Sequence, residues 1–411
     1  MHSNLASTAL LGFAAIAAAR PYASGQWSGS STTTSSAAIY SPTGSSSTGQ
    51  KAFDFPLSNG FPNVAKGSQT LEDIEIQAHG QLSNAPPPPS PPHPDSLVSL
   101  GFIAFNELFE VAFFTELISN ITNNVPGYDK IPNRDHILDI LTIHQAQEEL
   151  HELNANLAFN AFTGQTIQPC EYIFPVADFS SAIAFASQFT DLVLSTLPDI
   201  QTIFGTDGDI GLIRGVGAVI GQEGEQDGFY RDLIGKPPAQ LPFLTQGARD
   251  FALSAIVQGV AVPGSCPSLD LLTNPDQRSA TKGATPLKVF DVLTVVTPAS
   301  DFTLAHDITA SFKAVTAQTT GPNTQTLSTE QSSADLYITY LNQVNVPLSV
   351  PVSNLAIDAA SGALMFEAVF PGNSSFLAGL TIVAVTNGKD FSSPDAVAAA
   401  TVFGPALIEI D

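Results

Sequence analysis

The chain has 411 residues and sets 14 Lys and Arg against 38 Asp and Glu, a formal charge of −24 at neutral pH with only 13% charged residues. So acidic a surface repels phosphate backbones and anionic lipid headgroups, which argues against nucleic acid and membrane surfaces as partners and suits a soluble, acid-tolerant extracellular protein. The length is enough for two domains, each with its own core.

The first expected element is a leader at residues 1–19. Its apolar run LASTALLGFAAIAAA is too short to span a bilayer comfortably and ends in Ala17-Ala18-Ala19, an A-x-A cleavage signal of a secretory signal peptide. Residues 20–94 read as a flexible segment and linker. Residues 24–50 are mainly Ser, Thr, Gly and Ala, too poor in apolar surface to offset ordering entropy and open to O-glycosylation. Leu57 to Leu82 is weakly patterned and able to pack on a helical bundle, and Pro86 to Pro94, PPPPSPPHP, is a stiff polyproline spacer. No later stretch reads as a membrane span, and Glu409-Ile410-Asp411 is not a hydrophobic anchor.

Residues 95–270 carry helical periodicity. Leu97, Phe102, Phe105, Phe109 and Phe113 open it, and it returns in Ile137 to Phe162, Phe179 to Leu197, Ile210 to Leu233 and Ala248 to Val260, which predicts five helices. The third is expected to be capped by Asp178 or Ser180 and stopped by Pro198. The fourth carries Gly211, Gly215, Gly217, Gly221, Gly224 and Gly228. Each helical glycine costs about 0.8–1.0 kcal/mol relative to alanine, so the run predicts close helix approach or local distortion. GVGAVIG lacks the G-x-G-x-x-G spacing and comes after no strand, which excludes a dinucleotide loop. From residue 285 to 411 the pattern changes to short runs rich in Val, Ile, Thr and Phe, among them LKVFDVLTVV, ITASFKAV, ADLYITYL, ALMFEAVF, LTIVAV and ATVFGPALIEI. The predicted fold is α+β in two domains, a helical bundle and then a β-sandwich of roughly immunoglobulin-like size. The sandwich contains no catalytic cluster, and His306 stands alone in it.

The chemistry lies in the helices. Residues three apart share a helix face, so Glu148 and His151 in HQAQEELHEL can present an oxygen and a nitrogen to one inward point, and His144 lies in the same sector. Glu107 and Glu110 stand on the helix before. In a paired-metal carboxylate bundle, one Glu comes from each of two helices and a Glu-x-x-His from each of the other two. Here the fourth-helix motif reads Glu223-x-x-Gln226, and the third helix has no Glu, its best inward polar candidate being Gln188. A neutral amide replaces neither a carboxylate's charge nor an imidazole nitrogen, so the site reads as half dismantled. The spacing is not H-E-x-x-H, so a metalloprotease is excluded.

FNELFEVAFFTEL, HQAQEELHELNANLAFNAFTG and GQEGEQDGFYRDLIG, with the QPCEYIFP and VPGSCPS loops, resemble the secreted fungal ferritin-like proteins of the late-sexual-development and Rds-type stress-response family. More distantly the runs resemble plant desiccation-related and bacterial ferritin-like proteins. The resemblance covers roughly residues 95 to 270 and continues loosely to the GPALIEID end. It implies a ferritin-like bundle with site positions at Glu107, Glu110, Glu148, His151, Glu223 and Gln226. Many relatives carry Glu at the position of Gln188 and His at that of Gln226. The resemblance also implies expression in stress or sexual development and names no reaction.

Cys170 and Cys266 lie in loops flanking the helices, where an oxidising compartment would join them; the alternative is two unpaired buried thiols. Asn120-Ile121-Thr122 and Asn373-Ser374-Ser375 are N-glycosylation sequons, the first close to a helix end and partly shielded. The resulting reading is a secreted, non-catalytic ferritin-like protein with a degenerate site holding no metal or residual iron or manganese, associated with cell wall or matrix. The alternative is a di-iron oxidase or metal-binding protein using Glu110, Glu148, His151 and Glu223, with Tyr230 or Tyr128 nearby. No substrate or specific partner can be read from the sequence.

Overall fold

A computed structural model describes residues 37–40, 51–275, 280–315, 335–373 and 377–410. Among these residues eight α-helices and two antiparallel sheets form a mixed α+β protein. The leader, most of residues 24–50, and Ser374 and Ser375 of the second sequon lie outside them.

Four long helices make the helical layer: α2 (Pro94–Thr122), α3 (Arg134–Thr163), α4 (Phe179–Asp207) and α5 (Ile213–Leu233). The shorter α1 (Gln69–Gln77), α6 (Arg249–Gly259) and α7 (Leu269–Thr273) pack around them. Pro94 in the first turn of α2 suits a position whose N–H would have no helical partner. Almost every residue from Ser96 to Phe114 is buried, as expected of a helix that is apolar all round. This corrects the expectation that no later stretch is long and apolar enough to cross a membrane. α2 is both, and its most apolar stretch is entirely buried inside the protein.

Asp178 caps α4, its side chain accepting from the Ser181 N–H at 2.8 Å. Pro198 does not stop this helix, which runs on to Asp207. A proline takes one N–H out of the helical ladder. The carbonyl it leaves without a helical donor is that of Leu194; the next one, Ser195, accepts from the Gly247 N–H at 2.9 Å.

Residues expected to be flexible also hold structure. β1 (Ala37–Tyr40) pairs with the last strand, Phe53 bridges Tyr172, and Phe61 and the α1 residues Leu71 and Ile74 are buried. These few apolar residues are widely spaced, which is why composition alone reads the segment as a linker.

The five-stranded sheet has the order β1-β9-β8-β4-β5, with β4 (Tyr337–Asn342), β5 (Leu348–Pro351), β8 (Gly379–Thr386) and β9 (Thr401–Ile410). The four-stranded sheet has the order β2-β3-β7-β6, with β2 (Val292–Val295), β3 (Ile308–Val315), β6 (Ser353–Ile357) and β7 (Leu364–Phe370). The short helix α8 (Pro394–Ala400) leads into β9 and is capped by Ser393. β8 and β9 are buried along their whole length. Leu380, Ile382 and Ala384 join the helical core, while the alternate residues Val383 and Val385 join the core shared by the two sheets, as a period of two requires. The helices and the larger sheet therefore meet across an apolar interface.

Candidate metal centre

Three helices bring four side chains to one point. Ligand atoms of Glu107 on α2, Glu148 and His151 on α3, and Glu223 on α5 all lie within 4.8 Å of one another. The His151 Nδ1 stands 2.8 Å from Glu148 Oε2, 3.7 Å from Glu107 Oε2 and 3.6 Å from Glu223 Oε1. Donors on opposite sides of a small divalent ion, each about 2.1 Å from it, stand about 4.2 Å apart, so the set has the dimensions of one coordination sphere. Both carboxylate oxygens of Glu107 and of Glu223 lack a hydrogen-bond donor, although these residues are 1% and 0% exposed. Buried carboxylate oxygens without donors are costly, and a cation is the ligand that would satisfy them.

The charge state reflects this crowding. Burial, with the charge of Glu148 adding to it, pushes Glu107 up to about 7 and Glu223 up to about 8, against the opposing pull of His151. Glu110 is held well above the carboxylate range by burial and by Glu223, Glu148 and Glu107. Burial disfavours the imidazolium of His151, but the charge of Glu148 and its hydrogen bond at 2.8 Å, with the Glu107 and Glu223 carboxylates beyond hydrogen-bond distance at 3.7 and 3.6 Å, outweigh it and raise its pKa well above the usual value. Without metal, the imidazolium is the cation of the cluster.

Gln226 lies against this site. Its Nε2 donates to Glu148 Oε1 at 2.5 Å, and its Oε1 accepts from the Tyr230 hydroxyl at 3.1 Å. Tyr230 in turn stands 2.9 Å from His144 Nδ1. Because Tyr230 donates its one proton to Gln226, His144 must carry its proton on Nδ1, and burial lowers its pKa to about 4, which keeps it neutral. His144 therefore does not converge on the cluster as its helical sector suggested; it ends a relay, His144–Tyr230–Gln226–Glu148. Tyr230 is the tyrosine near the site. Tyr128 interacts with Asn120, Glu116 and Asp178 instead.

Glu110 accepts from Asn106 Nδ2 at 2.8 Å. Gln188 hydrogen-bonds none of the cluster residues and lines a cavity of about 30 Å³ with Asn106, Phe109 and Phe189. The Cys170–Cys266 disulfide is present, with S–S 2.08 Å. Asn120 is part-buried near the end of α2, and Asn373 is exposed.

A second buried network escaped the sequence reading. Arg231 Nη1 and Lys236 Nζ meet Glu409 Oε1 at 3.0 and 3.1 Å, and Gln240 Nε2 links Glu409 to Asp191 at 3.3 and 2.7 Å. Ser187 donates to Asp227 at 2.7 Å nearby. The available signal was Asp191 within the apolar run FTDLVL and a lone Glu in ALIEI. Neither a scan against protein-family models nor a search of curated proteins finds a match to this chain.

The raised carboxyls fix the sign of a pH effect. A group whose folded pKa exceeds its unfolded value contributes stability that is full below the unfolded pKa and lost as pH rises through the folded one. Glu107 at about 7, and Glu152 and Glu223 at about 8, thus place the loss between about pH 4.5 and 8. His144 acts oppositely, losing its contribution as pH falls from 6.5 to about 4. Chelator-treated protein should melt at a higher temperature at pH 5 than at pH 8, measured by circular dichroism at constant ionic strength; the reverse order would contradict the charge assignment.

Proposed function

We propose that this protein is a secreted ferritin-like metal-binding protein whose helices hold a single divalent ion, iron or manganese, between Glu107, Glu148, His151 and Glu223. The observation that carries this reading is the convergence of these donors with four undonated buried carboxylate oxygens among them. The arrangement of four long helices with an inward Glu-x-x-His supports the ferritin-like reading of the bundle. A two-domain organisation, with the sheets as a sandwich appended to that bundle, is part of the same reading.

One side of the cluster is supplied with charge and nitrogen, while the other ends in the amide of Gln226, already committed to Glu148 and Tyr230. An amide at that position favours one ion over two and a binding or structural role over paired-metal oxidation. A bound iron or manganese would supply charge neutralisation and one-electron chemistry. The chain's own residues orient the carboxylates: Asn106 fixes Glu110, and the Tyr230–Gln226 relay fixes Glu148. Secretion is supported by the disulfide together with the expected leader. A place in fungal stress response or sexual development, and in wall or matrix, rests on the resemblance alone.

Equilibrium dialysis against Mn²⁺ tests the site. Glu148→Gln should weaken binding at least about a hundredfold, since even residues that only orient a ligand cost 10–100-fold. Gln226→His with Gln188→Glu should raise the stoichiometry from one towards two, the second change placing a carboxylate beside Asn106 and hence on the Glu110 side. Unchanged binding in Glu148→Gln would refute the assigned donors, and an unchanged stoichiometry in the double variant would refute the assigned missing ones.

A further inference from the structure

Of the six glycines from Gly211 to Gly228, only two approach a neighbour closely enough to matter: a side chain at Gly217 would meet Gln201 Nε2 on α4 at 3.0 Å, and one at Gly228 the Pro238 carbonyl at 3.5 Å. A side chain added at Gly211, Gly215, Gly221 or Gly224 would meet nothing within 4 Å, whereas at Gly101 on α2 it would press on Leu272 and Phe159 at 3.1 and 3.2 Å. Gly211 and Gly215 instead line a groove of about 1040 Å³. The polyproline segment forms another part of its wall through Pro86, Pro87, Pro88 and Pro89, and Glu107 and His151 lie in its lining.

The ends of the groove differ in chemistry. At the inner end Glu107 is 1% exposed, and neither of its carboxylate oxygens accepts a hydrogen bond. Arg214 also lines the groove, exposed and with no ion pair among the described residues, as does Asp209, whose carboxylate accepts from the His93 N–H at 2.8 Å. Among the described residues Arg214 is the only Lys or Arg lining the groove, on a chain with 14 of them against 38 acidic residues. Most of the lining between is apolar, including Leu100, Ile103, Leu150, Val216 and Val219.

We propose that this groove binds an unbranched fatty acid, its carboxylate on Arg214 and its chain running between the polyproline wall and the glycine-lined face of α5 towards Glu107 and His151. Arg214 is the only Lys or Arg among the described residues lining the groove, so the acid leaves its head there and enters chain first. Nine residues separate Arg214 from Glu223, about 13.5 Å of helix at about 1.5 Å per residue. An extended chain with C–C bonds of about 1.5 Å at about 111° advances about 1.25 Å per carbon, so about eleven carbons reach the cluster. The inference rests on the proposed function only in taking Glu107 and His151 as metal ligands; binding itself requires no metal.

The test uses the full chain, chelator-treated and manganese-loaded in parallel, with dodecanoic acid displacing the fluorescent fatty acid cis-parinaric acid. Saturable binding at one site is expected in both forms. Gly215→Leu should weaken it at least tenfold with unchanged circular dichroism and melting temperature, because the new side chain projects into open groove. Arg214→Ala should weaken dodecanoic acid at least fivefold and leave dodecanol unchanged. The assignment is overturned if the wild-type chain shows no saturable binding, including the case where sedimentation shows a second copy filling the groove. Binding insensitive to Gly215→Leu, or dodecylamine binding as tightly as the acid, also overturns it. Loss of metal binding with retained acid binding would count against the metal reading alone.

Discussion

Replacing both Cys170 and Cys266 by alanine should lower the unfolding free energy by about 4–5 kcal/mol. The two cysteines are 96 residues apart in sequence, and the bridge closes a loop containing α4, α5 and α6. A link across about 100 residues removes about 4.7 kcal/mol of chain entropy from the unfolded state. The loops it joins are already in register in the folded state: Ile173 N–H donates to Val260 O and Val262 N–H to Glu171 O, each at 2.8 Å. Those bonds should survive in the variant, so the loss falls on the unfolded ensemble and the native structure should be retained. Urea denaturation of wild type and double variant measures the difference; a loss below about 1 kcal/mol would show that the entropic account fails here.

Arg231→Met should destabilise by about 3 kcal/mol, for a different reason. Glu409 is 1% exposed near the end of β9, and Arg231 is 1% exposed on α5 facing it. Removing one member of such a pair leaves a buried charge without its counterion, which costs about 3–5 kcal/mol, and the lower value applies because Lys236 remains at 3.1 Å. Removing all three charges, as Arg231→Met with Glu409→Leu and Lys236→Met, should restore most of the loss, since apolar residues of similar volume replace a buried ion triad with little penalty. Chemical denaturation of Arg231→Met, Glu409→Leu, their double variant and the triple variant gives the coupling. Purely additive losses would mean that the pair does not join helix to sheet energetically.

How far the sequence discloses this structure depends on whether a feature is periodic. The helices are legible because Phe102, Phe105, Phe109 and Phe113 repeat at helical spacing, and Glu148 and His151 share a face by the same rule. The strands β3, β4, β7, β8 and β9 are legible as apolar runs. β5 and β6 are edge strands, where VPLSVPVSNLAI carries Pro347 and Pro351 and shows no regular alternation of burial, so nothing in it marks a strand. Pro198 misleads because it removes only one ladder bond, while Leu194, Leu197, Ile200 and Phe204 on both sides of it are buried in packing that local sequence does not reveal. The α5 glycines are conspicuous as a composition anomaly, but whether they face a neighbour or an opening is settled by the position of the polyproline wall more than a hundred residues earlier. The Arg231–Glu409 contact spans 178 residues and has no local signature beyond an unexpected charge in an apolar strand.

The four-donor cluster is the centre of the account, and its metal content tests it most directly. Purified protein, stripped with chelator, reloaded with Fe²⁺ or Mn²⁺ under anaerobic conditions and desalted, should retain one metal ion per chain by elemental analysis. Retention of two would mean that Gln226 and Gln188 do not weaken the second position, and retention of none would mean that Glu107, Glu148, His151 and Glu223 form a proton-sharing polar network rather than a metal site.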